Sequence, residues 1–275
     1  MSEPVIVEIF IIGNEILIGD IQDTNTHWLC KEINSLGGRV ARVTLLRDVD
    51  AVIAGEVHAA LARGAEVIIT SGGLGPTADD LTLAAVARGV GVEVRLHEQA
   101  LQMVRDRYDE LTAQGVLTQG GLNPAREKMA WLPEGAVPLS NPVGTAPGVL
   151  LKTGRAAIIS LPGVPSELKG IFNSSLQPFL QETFRGGISV MQTITVQSND
   201  ESLMEPVLSR VVNDHPSIYI KSLARTLGET RELDITLTAV GSDQAVLDAQ
   251  LGAALHDLQK GLTALGIGHR EKERN

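Results

Sequence analysis

Residues 66–82, EVIITSGGLGPTADDLT, contain a short β-branched run that leads through three glycines into a polar segment. The run Glu66–Thr70 predicts a short buried strand, and a helix is predicted to follow the loop through Val90. A strand joined to a helix in this way is typical of α/β proteins with parallel strands. In such sheets, ligands bind at the carboxyl ends of the strands. The stretch therefore predicts both the fold class and the sheet edge where a site should lie.

The residues before this stretch show the same alternation of strand and helix. The predicted elements, in order, are a strand over Val5–Ile12, a helix over Thr26–Leu36, a strand over Arg39–Leu46 and a helix from Asp50 to Gly64. Asp50 is predicted to be the N-cap of the second helix. Because this alternation indicates parallel strands joined by right-handed crossovers, the loops that begin at Gly13, Arg47 and Ser71 should gather at one sheet edge.

The residues after this stretch predict the rest of one large domain and then a smaller one. The later elements of the large domain are a helix over Glu98–Gln114, strands over Gly148–Lys152 and Arg155–Ser160, and a helix over Val164–Phe184. A change of pattern at Gly186 and Gly187 divides the chain into predicted domains 1–185 and 186–275. The second has the order β-α-β-β-α, which is typical of a small α+β domain. The charged tail His269–Asn275 is expected to fray.

Composition excludes several classes of function. With 23 Lys and Arg against 33 Asp and Glu, the net charge is −10, and aromatic residues make up 3%. Such a chain lacks the basic surface and stacking rings of a nucleic-acid binder. Its single cysteine, Cys30, excludes an internal disulfide framework and a multi-cysteine metal site, and is expected to lie in the core. The apolar run Val5–Ile12 is too short to span a bilayer, so we expect a cytoplasmic protein without a membrane partner.

The glycine-rich loop is the strongest local signal for a binding site. Gly72, Gly73 and Gly75 lie between a predicted strand and a predicted helix. Glycines at these positions let backbone N–H groups turn toward an anion such as phosphate. Many such loops only turn the chain, and this one is neither a Walker loop nor a dinucleotide fingerprint. Phosphate binding and simple chain reversal therefore both remain open.

Charged residues near this loop carry two interpretations each. Asp79 and Asp80 could interact with the dipole of the following helix, or could hold a divalent metal that bridges to a phosphate. Asp48, at the end of the second strand, could meet Asp80 across the crevice or could shape a turn. Lys128 could pair with phosphate or could be solvated. Asp23 is predicted to be a turn or N-cap residue.

Two further loops are rich in glycine and proline. They are Asn141–Gly148, with the sequence NPVGTAPG, and Leu161–Glu167, with the sequence LPGVPSE. Rigid loops of this composition could form a pocket wall, although they could also simply connect strands. The six histidines show no spacing typical of metal ligands.

Four segments together resemble a known family: GNEILIGD (13–20), GGLGPTADDLT (72–82), NPVGTAPG (141–148) and LPGVPSEL (161–168). Over residues 4–184 the chain resembles the N-terminal part of the competence/damage-inducible CinA proteins, in the molybdopterin-binding MogA/MoaB-like superfamily. The resemblance implies a three-layer α/β/α domain with a mostly parallel sheet, and a homodimer. The final segment resembles the small KH-type domain of CinA proteins. Many CinA proteins continue into a nicotinamide-nucleotide deamidase domain, whose activity is not assigned to these 275 residues.

The resemblance also implies a function. The main expectation is a diphosphatase that depends on Mg²⁺, Co²⁺ or Ni²⁺ and cleaves ADP-ribose to AMP and ribose 5-phosphate, with FAD as a further substrate. The alternative is a protein that binds or adenylylates molybdopterin, and a third possibility is a nucleotide-binding dimer without chemistry. A glycine loop next to paired carboxylates is chemically consistent with a metal-bridged diphosphate.

The resemblance assigns roles residue by residue. Asp80, Asp48 and Asp79 are the expected catalytic residues, and Asp80 and Asp79 the expected metal ligands. The expected substrate-binding residues are Gly72, Gly73, Gly75, Thr77, Thr82, Lys128, Asn141, Gly144, Thr145, Pro162 and Gly163. The sequence departs from the family at Ala84, where glutamate is frequent, and at Met129, where glutamine is usual. The segment Ser222-Leu223-Ala224 lacks the Tyr-Pro often found in the small domain.

Overall fold

The computed structural model describes residues 4–184, 187–198, 200–223 and 232–272, which form two compact units. The first unit comprises Val5–Ile33 and Gly38–Thr183. The second contains the described residues from Phe184 onward, together with residue 4 and the segment Asn34–Gly37. The boundary predicted between residues 185 and 186 falls on two residues outside the described ranges, and it stays a prediction.

Eight strands precede the second unit. They are β1 (Ile6–Ile12), β2 (Arg39–Leu46), β3 (Val67–Ser71), β4 (Val94–Leu96), β5 (Trp131–Pro133), β6 (Val137–Leu139), β7 (Gly148–Thr153) and β8 (Ala156–Leu161). The helices in the same part are α1 (Asn14–Leu17), α2 (Asn25–Ser35), α3 (Asp50–Ala62), α4 (Thr82–Val90), α5 (Glu98–Ala113), α6 (Pro124–Lys128), α7 (Pro165–Ile171) and α8 (Gln177–Thr183). A π-helical segment, Phe172–Leu176, connects α7 to α8.

The main sheet has six strands in the order β2-β1-β3-β8-β7-β6. Strands β2, β1, β3 and β8 are parallel, whereas β7 and β6 are antiparallel to their neighbours. This arrangement confirms the predicted α/β class with a mostly parallel sheet. Ser71 pairs with Ile11 on one side and Leu161 on the other. The carboxyl ends of these strands therefore meet at one edge, as predicted.

Aliphatic side chains form the core of the first unit. Every residue of β3 is buried, and the largest fully buried side chains are mostly isoleucine and leucine, together with Phe10 and Phe172. Such packing is expected of a parallel sheet that is covered on both faces. Cys30, which was expected in the core, is half-buried in α2, and burial raises the pKa of its thiol.

Some local predictions were wrong or incomplete. Asp50 is not the N-cap of α3, because that position is Val49, and Asp50 instead lies in the first turn and pairs with Arg88 at 2.5 Å. Five further elements were not predicted from the sequence: β4, β5, β6, α1 and α6. These elements are three to five residues long, and β4 is a strand because it pairs with β5, more than thirty residues away along the chain.

The second unit is a four-stranded antiparallel sheet with two long helices. Its elements are β9 (Ile188–Val196), α9 (Glu201–Asp214), β10 (Ile218–Leu223), β11 (Leu233–Gly241), α10 (Gln244–Ala264) and β12 (His269–Glu271), and the strand order is β10-β11-β9-β12. The first five elements have the predicted order β-α-β-β-α. Apolar side chains from β9, β11, α9 and α10 form its core.

The C-terminal strand corrects the expectation of a frayed tail. His269–Glu271 pairs with β9, and Lys272 contacts Asp234 at 2.7 Å. Arg270 makes two hydrogen bonds to Glu232, at 2.6 and 2.7 Å. Residues 273–275 of the predicted tail lie outside the described residues. Within the described ranges, no helix combines the length and apolar character that crossing a bilayer requires.

Candidate functional site

A cleft of about 480 Å³ lies at the carboxyl edge of the main sheet. Its walls are the loops that follow β1, β2, β3 and β8, together with residues just before β7. The structure brings into its lining nine of the residues predicted from sequence: Asp48, Gly72, Gly73, Gly75, Asp79, Asp80, Thr145, Pro162 and Gly163. Thr77, Thr82, Lys128, Asn141 and Gly144 are not among the described lining residues.

Two positions in the loop after β3 require glycine. Gly72 has φ +112°, and a Cβ atom there would lie 2.0 Å from the carbonyl oxygen of Ile12. Gly73 has φ +70°, and its Cβ would lie 2.2 Å from Oγ1 of Thr82. Thr82 is buried and donates from Oγ1 to the Gly72 carbonyl at 2.7 Å. The loop is therefore locked between β1 and the first residue of α4.

The same loop contains several backbone N–H groups in residues that line the cleft. The N–H of Gly72 donates to the Leu161 carbonyl at 3.0 Å. In the described part of the chain, no acceptor takes the N–H of Gly73, Leu74 or Gly75, all of which line the cleft. Consecutive free N–H groups in a glycine loop form a concavity suited to an anion.

Thr77 organises the two carboxylates that follow the loop. Asp80 Oδ2 accepts hydrogen bonds from the Thr77 backbone N–H at 2.8 Å and from its hydroxyl at 2.6 Å. The hydroxyl also lies 2.5 Å from Asp79 Oδ1, so its single hydrogen alternates between two acceptors. This hydrogen bond is the main reason why the pKa of the Asp79 carboxyl is lower than usual. Asp79 is therefore ionised at neutral pH.

Lys128 supports the segment that carries these carboxylates. Its ammonium group donates to the carbonyl of Asp80 at 2.8 Å and to the carbonyl of Thr77. The lysine lines a smaller cavity of about 80 Å³, together with Asp80 and Trp131. The structure thus places Lys128 on loop carbonyls, whereas the sequence left pairing with phosphate and solvation open and the family resemblance implied substrate binding.

Asn141 and Gly144 both contact Glu167 of α7. Asn141 Nδ2 donates to Glu167 Oε2 at 2.7 Å and to the Ala146 carbonyl at 2.8 Å, while its Oδ1 accepts the N–H of Gly144 at 2.8 Å. A Cβ on Gly144 would lie 1.8 Å from Glu167 Oε2. These two predicted ligand residues therefore position a carboxylate that lines the cleft.

Asn25 is a cleft residue to which the sequence assigned no role, and Glu167 lies in the loop Leu161–Glu167 that was predicted as a possible pocket wall but received no role of its own. Asn25, the first residue of α2, is 6% exposed and donates from Nδ2 to Ser71 Oγ at 3.0 Å and to the Gly163 carbonyl at 2.7 Å. Its Oδ1 is buried and has no partner. The signal in the sequence is Asp23, predicted as a turn or N-cap residue: its Oδ1 accepts the N–H of Thr26 at 3.0 Å, so Asn25 is not needed for that cap.

The cleft is strongly acidic. Its carboxylates belong to Glu15, Asp23, Asp48, Asp79, Asp80 and Glu167, and its described lining contains no Lys, Arg or His. Asp48 is oriented by the backbone N–H of Asn14, which donates to Oδ2 at 2.7 Å. The described residues contain no cluster of three or more His, Cys, Asp or Glu that could hold a metal. A cation at Asp79 and Asp80 would therefore need further oxygen ligands from a bound phosphate.

Comparison with known proteins identifies relatives of the chain. The model of the family described as a probable molybdopterin binding domain matches residues 8–182. A protein of Aeropyrum pernix is 39% identical over 263 residues, which cover 95% of each chain. A protein of Pyrobaculum arsenaticum is 39% identical over 211 residues, or 77% of each chain. A solved structure, described as the protein CinA with unknown function from Thermoplasma acidophilum, is 33% identical with a TM-score of 0.57, covering 64% of this chain and 98% of that one.

Proposed function

Because this chain belongs to the probable molybdopterin binding domain family, we propose that its cleft binds a phosphorylated pterin of the molybdopterin type. The observation that carries the proposal is the set of N–H groups on Gly73, Leu74 and Gly75: these residues line a cleft of suitable size, and their N–H groups have no acceptor among the described residues. Sites for small molecules usually measure about 300–1,000 Å³. The ligand phosphate would accept hydrogen bonds from this loop.

A divalent cation is the second part of the proposal. Asp79 and Asp80 lie beside the glycine loop, and no basic side chain in the described lining offsets their charge. A phosphate would be repelled there unless a cation such as Mg²⁺ were bound between them. Mg²⁺ is commonly held by one or two carboxylates and by substrate phosphates. The cation would neutralise charge, and the two aspartates would hold it.

The proposal is tested by comparing two pterins that differ in their phosphate. We expect 6-hydroxymethylpterin phosphate to bind at least about tenfold more tightly than 6-hydroxymethylpterin in the presence of Mg²⁺, as measured by pterin fluorescence. Gly73→Ala should remove this preference, because the new Cβ displaces the loop. Gly154→Ala is the matched control, since Gly154 has φ +54°, open space around it and a place in the β7–β8 turn. Equal affinity for the two pterins would refute the proposal.

A second candidate function is hydrolysis of a nucleotide diphosphate such as ADP-ribose or FAD. It is favoured by Asp48, Asp79 and Asp80, which line the cleft around the same glycine loop. If it is correct, the purified protein releases AMP from ADP-ribose with Mg²⁺, Co²⁺ or Ni²⁺, and Asp80→Ala abolishes the release. Transfer of an adenylyl group to the pterin is distinguished by its requirement for ATP. If the protein does not hydrolyse ADP-ribose with any of these metals, hydrolysis is refuted and only ligand binding remains.

The proposal also covers the fold of the second unit and the oligomeric state of the protein. A KH-type fold for the second unit agrees with its β-α-β-β-α order, and a homodimer is the assembly that we propose. Light scattering coupled to gel filtration would test the dimer, because a monomer mass near 29.2 kDa at micromolar concentration would exclude it.

A further inference from the structure

We propose that Asn25 and Glu167 recognise the amino-pyrimidinone edge of the ligand ring, which presents two neighbouring N–H donors. The inference rests on the proposed function and extends it from the phosphate to the ring. It assigns ring recognition to Glu167, in the helix α7 that follows β8, and to Asn25, at the start of α2, separately from the glycine loop after β3.

Glu167 supplies the first acceptor. Its Oε2 is occupied by Asn141 Nδ2 at 2.7 Å, whereas its Oε1 accepts no hydrogen bond from the described residues. Gly144 lies directly against this carboxylate, where any Cβ would overlap it. The side chain is thus held at one oxygen and open at the other, in a residue that lines the cleft.

Asn25 supplies the second acceptor. The amide orientation is determined because Nδ2 faces two acceptors, Ser71 Oγ and the Gly163 carbonyl, so the remaining atom is the carbonyl Oδ1. This oxygen is buried without a partner in a residue that lines the cleft. Buried polar atoms nearly always have a partner, and an unpaired one calls for an explanation. A donor on a bound ligand supplies the missing hydrogen bond.

Asn25 also connects two segments that border the cleft. Its two hydrogen bonds join the end of β3, at Ser71, to the loop after β8, at Gly163. Glu167 follows in the same loop-to-helix segment, at the third position of α7. Asn25 is therefore bonded to the segment that also carries Glu167, whereas the N–H groups without an acceptor belong to the loop after β3.

The chemistry of the two acceptors selects a class of ring. The 2-amino-4-oxopyrimidine edge of a pterin places the 2-amino group next to the ring N3–H, so it offers two adjacent donors. Glu167 Oε1 and Asn25 Oδ1 are both acceptors. Adenine places a donor beside a ring-nitrogen acceptor, which would leave one protein oxygen facing a lone pair. Unpaired buried polar groups give strong discrimination between ligands. The two acceptors therefore favour the pterin ring over an adenine nucleotide.

The test compares two phosphorylated rings that differ in one group. The probes are 6-hydroxymethylpterin phosphate and its 2-oxo analogue, 6-hydroxymethyllumazine phosphate, in which a carbonyl replaces the 2-amino group. We expect the wild-type protein to bind the pterin about tenfold or more tightly than the lumazine, measured by fluorescence titration. Because both probes carry the same phosphate, the ratio of their dissociation constants reports on the ring alone.

Glu167→Gln should invert this preference. Asn141 Nδ2 continues to donate to the amide oxygen of the new side chain, so the N–H₂ group replaces Oε1 and donates to the 2-oxo group of the lumazine. Gly144→Ala should bring the ratio toward one, because the new methyl group displaces the Glu167 carboxylate. The matched control is Glu98→Gln, an exposed glutamate in the first turn of α5. It should leave the wild-type ratio unchanged.

The outcomes separate the two proposals. A wild-type ratio near one, or an unchanged ratio in both Glu167→Gln and Gly144→Ala, would overturn ring recognition while leaving phosphate binding intact. A clear ring preference without any preference for the phosphorylated pterin would instead refute the role of the glycine loop. If the wild-type protein binds neither probe, both proposals fail. Gly73→Ala should weaken binding of both probes equally and preserve their ratio.

Discussion

Two parts of the cleft lining differ in the groups that lack a partner: in the glycine loop these are the backbone N–H groups of residues 73–75, whereas at Asn25 and Glu167 they are side-chain oxygens. In the glycine loop, backbone conformation and close contacts leave no room for a Cβ atom. In the other part, the tightest contact is between Gly144 and the far end of a glutamate. We therefore expect substitutions in the glycine loop after β3 to destabilise the fold. Substitutions that act on Glu167 should instead change which ligand is bound and leave the fold intact.

The largest effect is expected for Gly72→Ala. Its positive φ costs an alanine roughly 1–2 kcal/mol, and overlap with the rigid Ile12 backbone adds about 1–3 kcal/mol. We expect the free energy of unfolding of the first unit to fall by about 3 kcal/mol. Tryptophan fluorescence during urea unfolding reports on this unit, because Trp28 and Trp131 both belong to it. Gly154→Ala, with positive φ but open space, should cost only about 1 kcal/mol.

A smaller loss is expected for Thr82→Val, which keeps the shape of the side chain. The substitution removes the hydroxyl donor to the Gly72 carbonyl and leaves that acceptor buried. We expect a loss of about 2 kcal/mol in the same assay, since unsatisfied buried acceptors cost about 1–3 kcal/mol. Thr112→Val removes a similar bond to the Tyr108 carbonyl inside α5 and should cost less than about 0.5 kcal/mol. Equal losses would contradict a locked loop.

Gly144→Ala should hardly change stability, although its Cβ would overlap Glu167 more closely than the Cβ at residue 72 overlaps Ile12. The Glu167 side chain can rotate away, whereas the Ile12 backbone cannot. We expect a change within about 0.5 kcal/mol in the urea assay. A loss as large as that of Gly72→Ala would show that the surroundings of Gly144 are as rigid as those of Gly72. It would contradict the expected difference between the two regions.

The smallest effect concerns the protonation of Asp79. Its pKa lies below 3.8 mainly because the Thr77 hydroxyl stabilises the carboxylate. The stabilisation that this bond gives is therefore present above the ordinary pKa and is lost as pH falls through the lowered value. Thr77→Val should raise the pKa of Asp79 toward 3.8, as followed by carboxyl ¹³C NMR during an acid titration. Thr77→Ser retains the hydroxyl and should behave like the wild type.

The elements of the first unit were predictable where the pattern was local and long. The buried run of β3 and the apolar spacing of α2 and α5 appear in the sequence within one or two residues of their observed bounds. The short strand β4 was not predictable, because its pairing with β5 depends on residues far along the chain. Asp50 shows a further limit, since capping depends on the backbone conformation at Val49 rather than on residue type alone.

The glycine loop was predictable as a candidate site because a positive φ and a close backbone contact both require glycine, and glycines are visible in the sequence. The partners of polar side chains were not. Lys128 was expected either to pair with a phosphate or to be solvated, yet its ammonium group lies on the carbonyls of Thr77 and Asp80, about fifty residues away. Asn25 received no role from the sequence, because its partners Ser71 and Gly163 are 46 and 138 residues away.

The sequence by itself determined the alternation of strands and helices, the glycines of the loop after β3 and the edge of the sheet where the cleft lies. These features follow from preferences that each residue and its near neighbours already carry. Only the tertiary structure decided which oxygen atoms of the cleft residues have no hydrogen-bond partner. A hydrogen bond occupies an atom only when the fold brings its partner within about 3 Å, and these partners come from distant strands and loops.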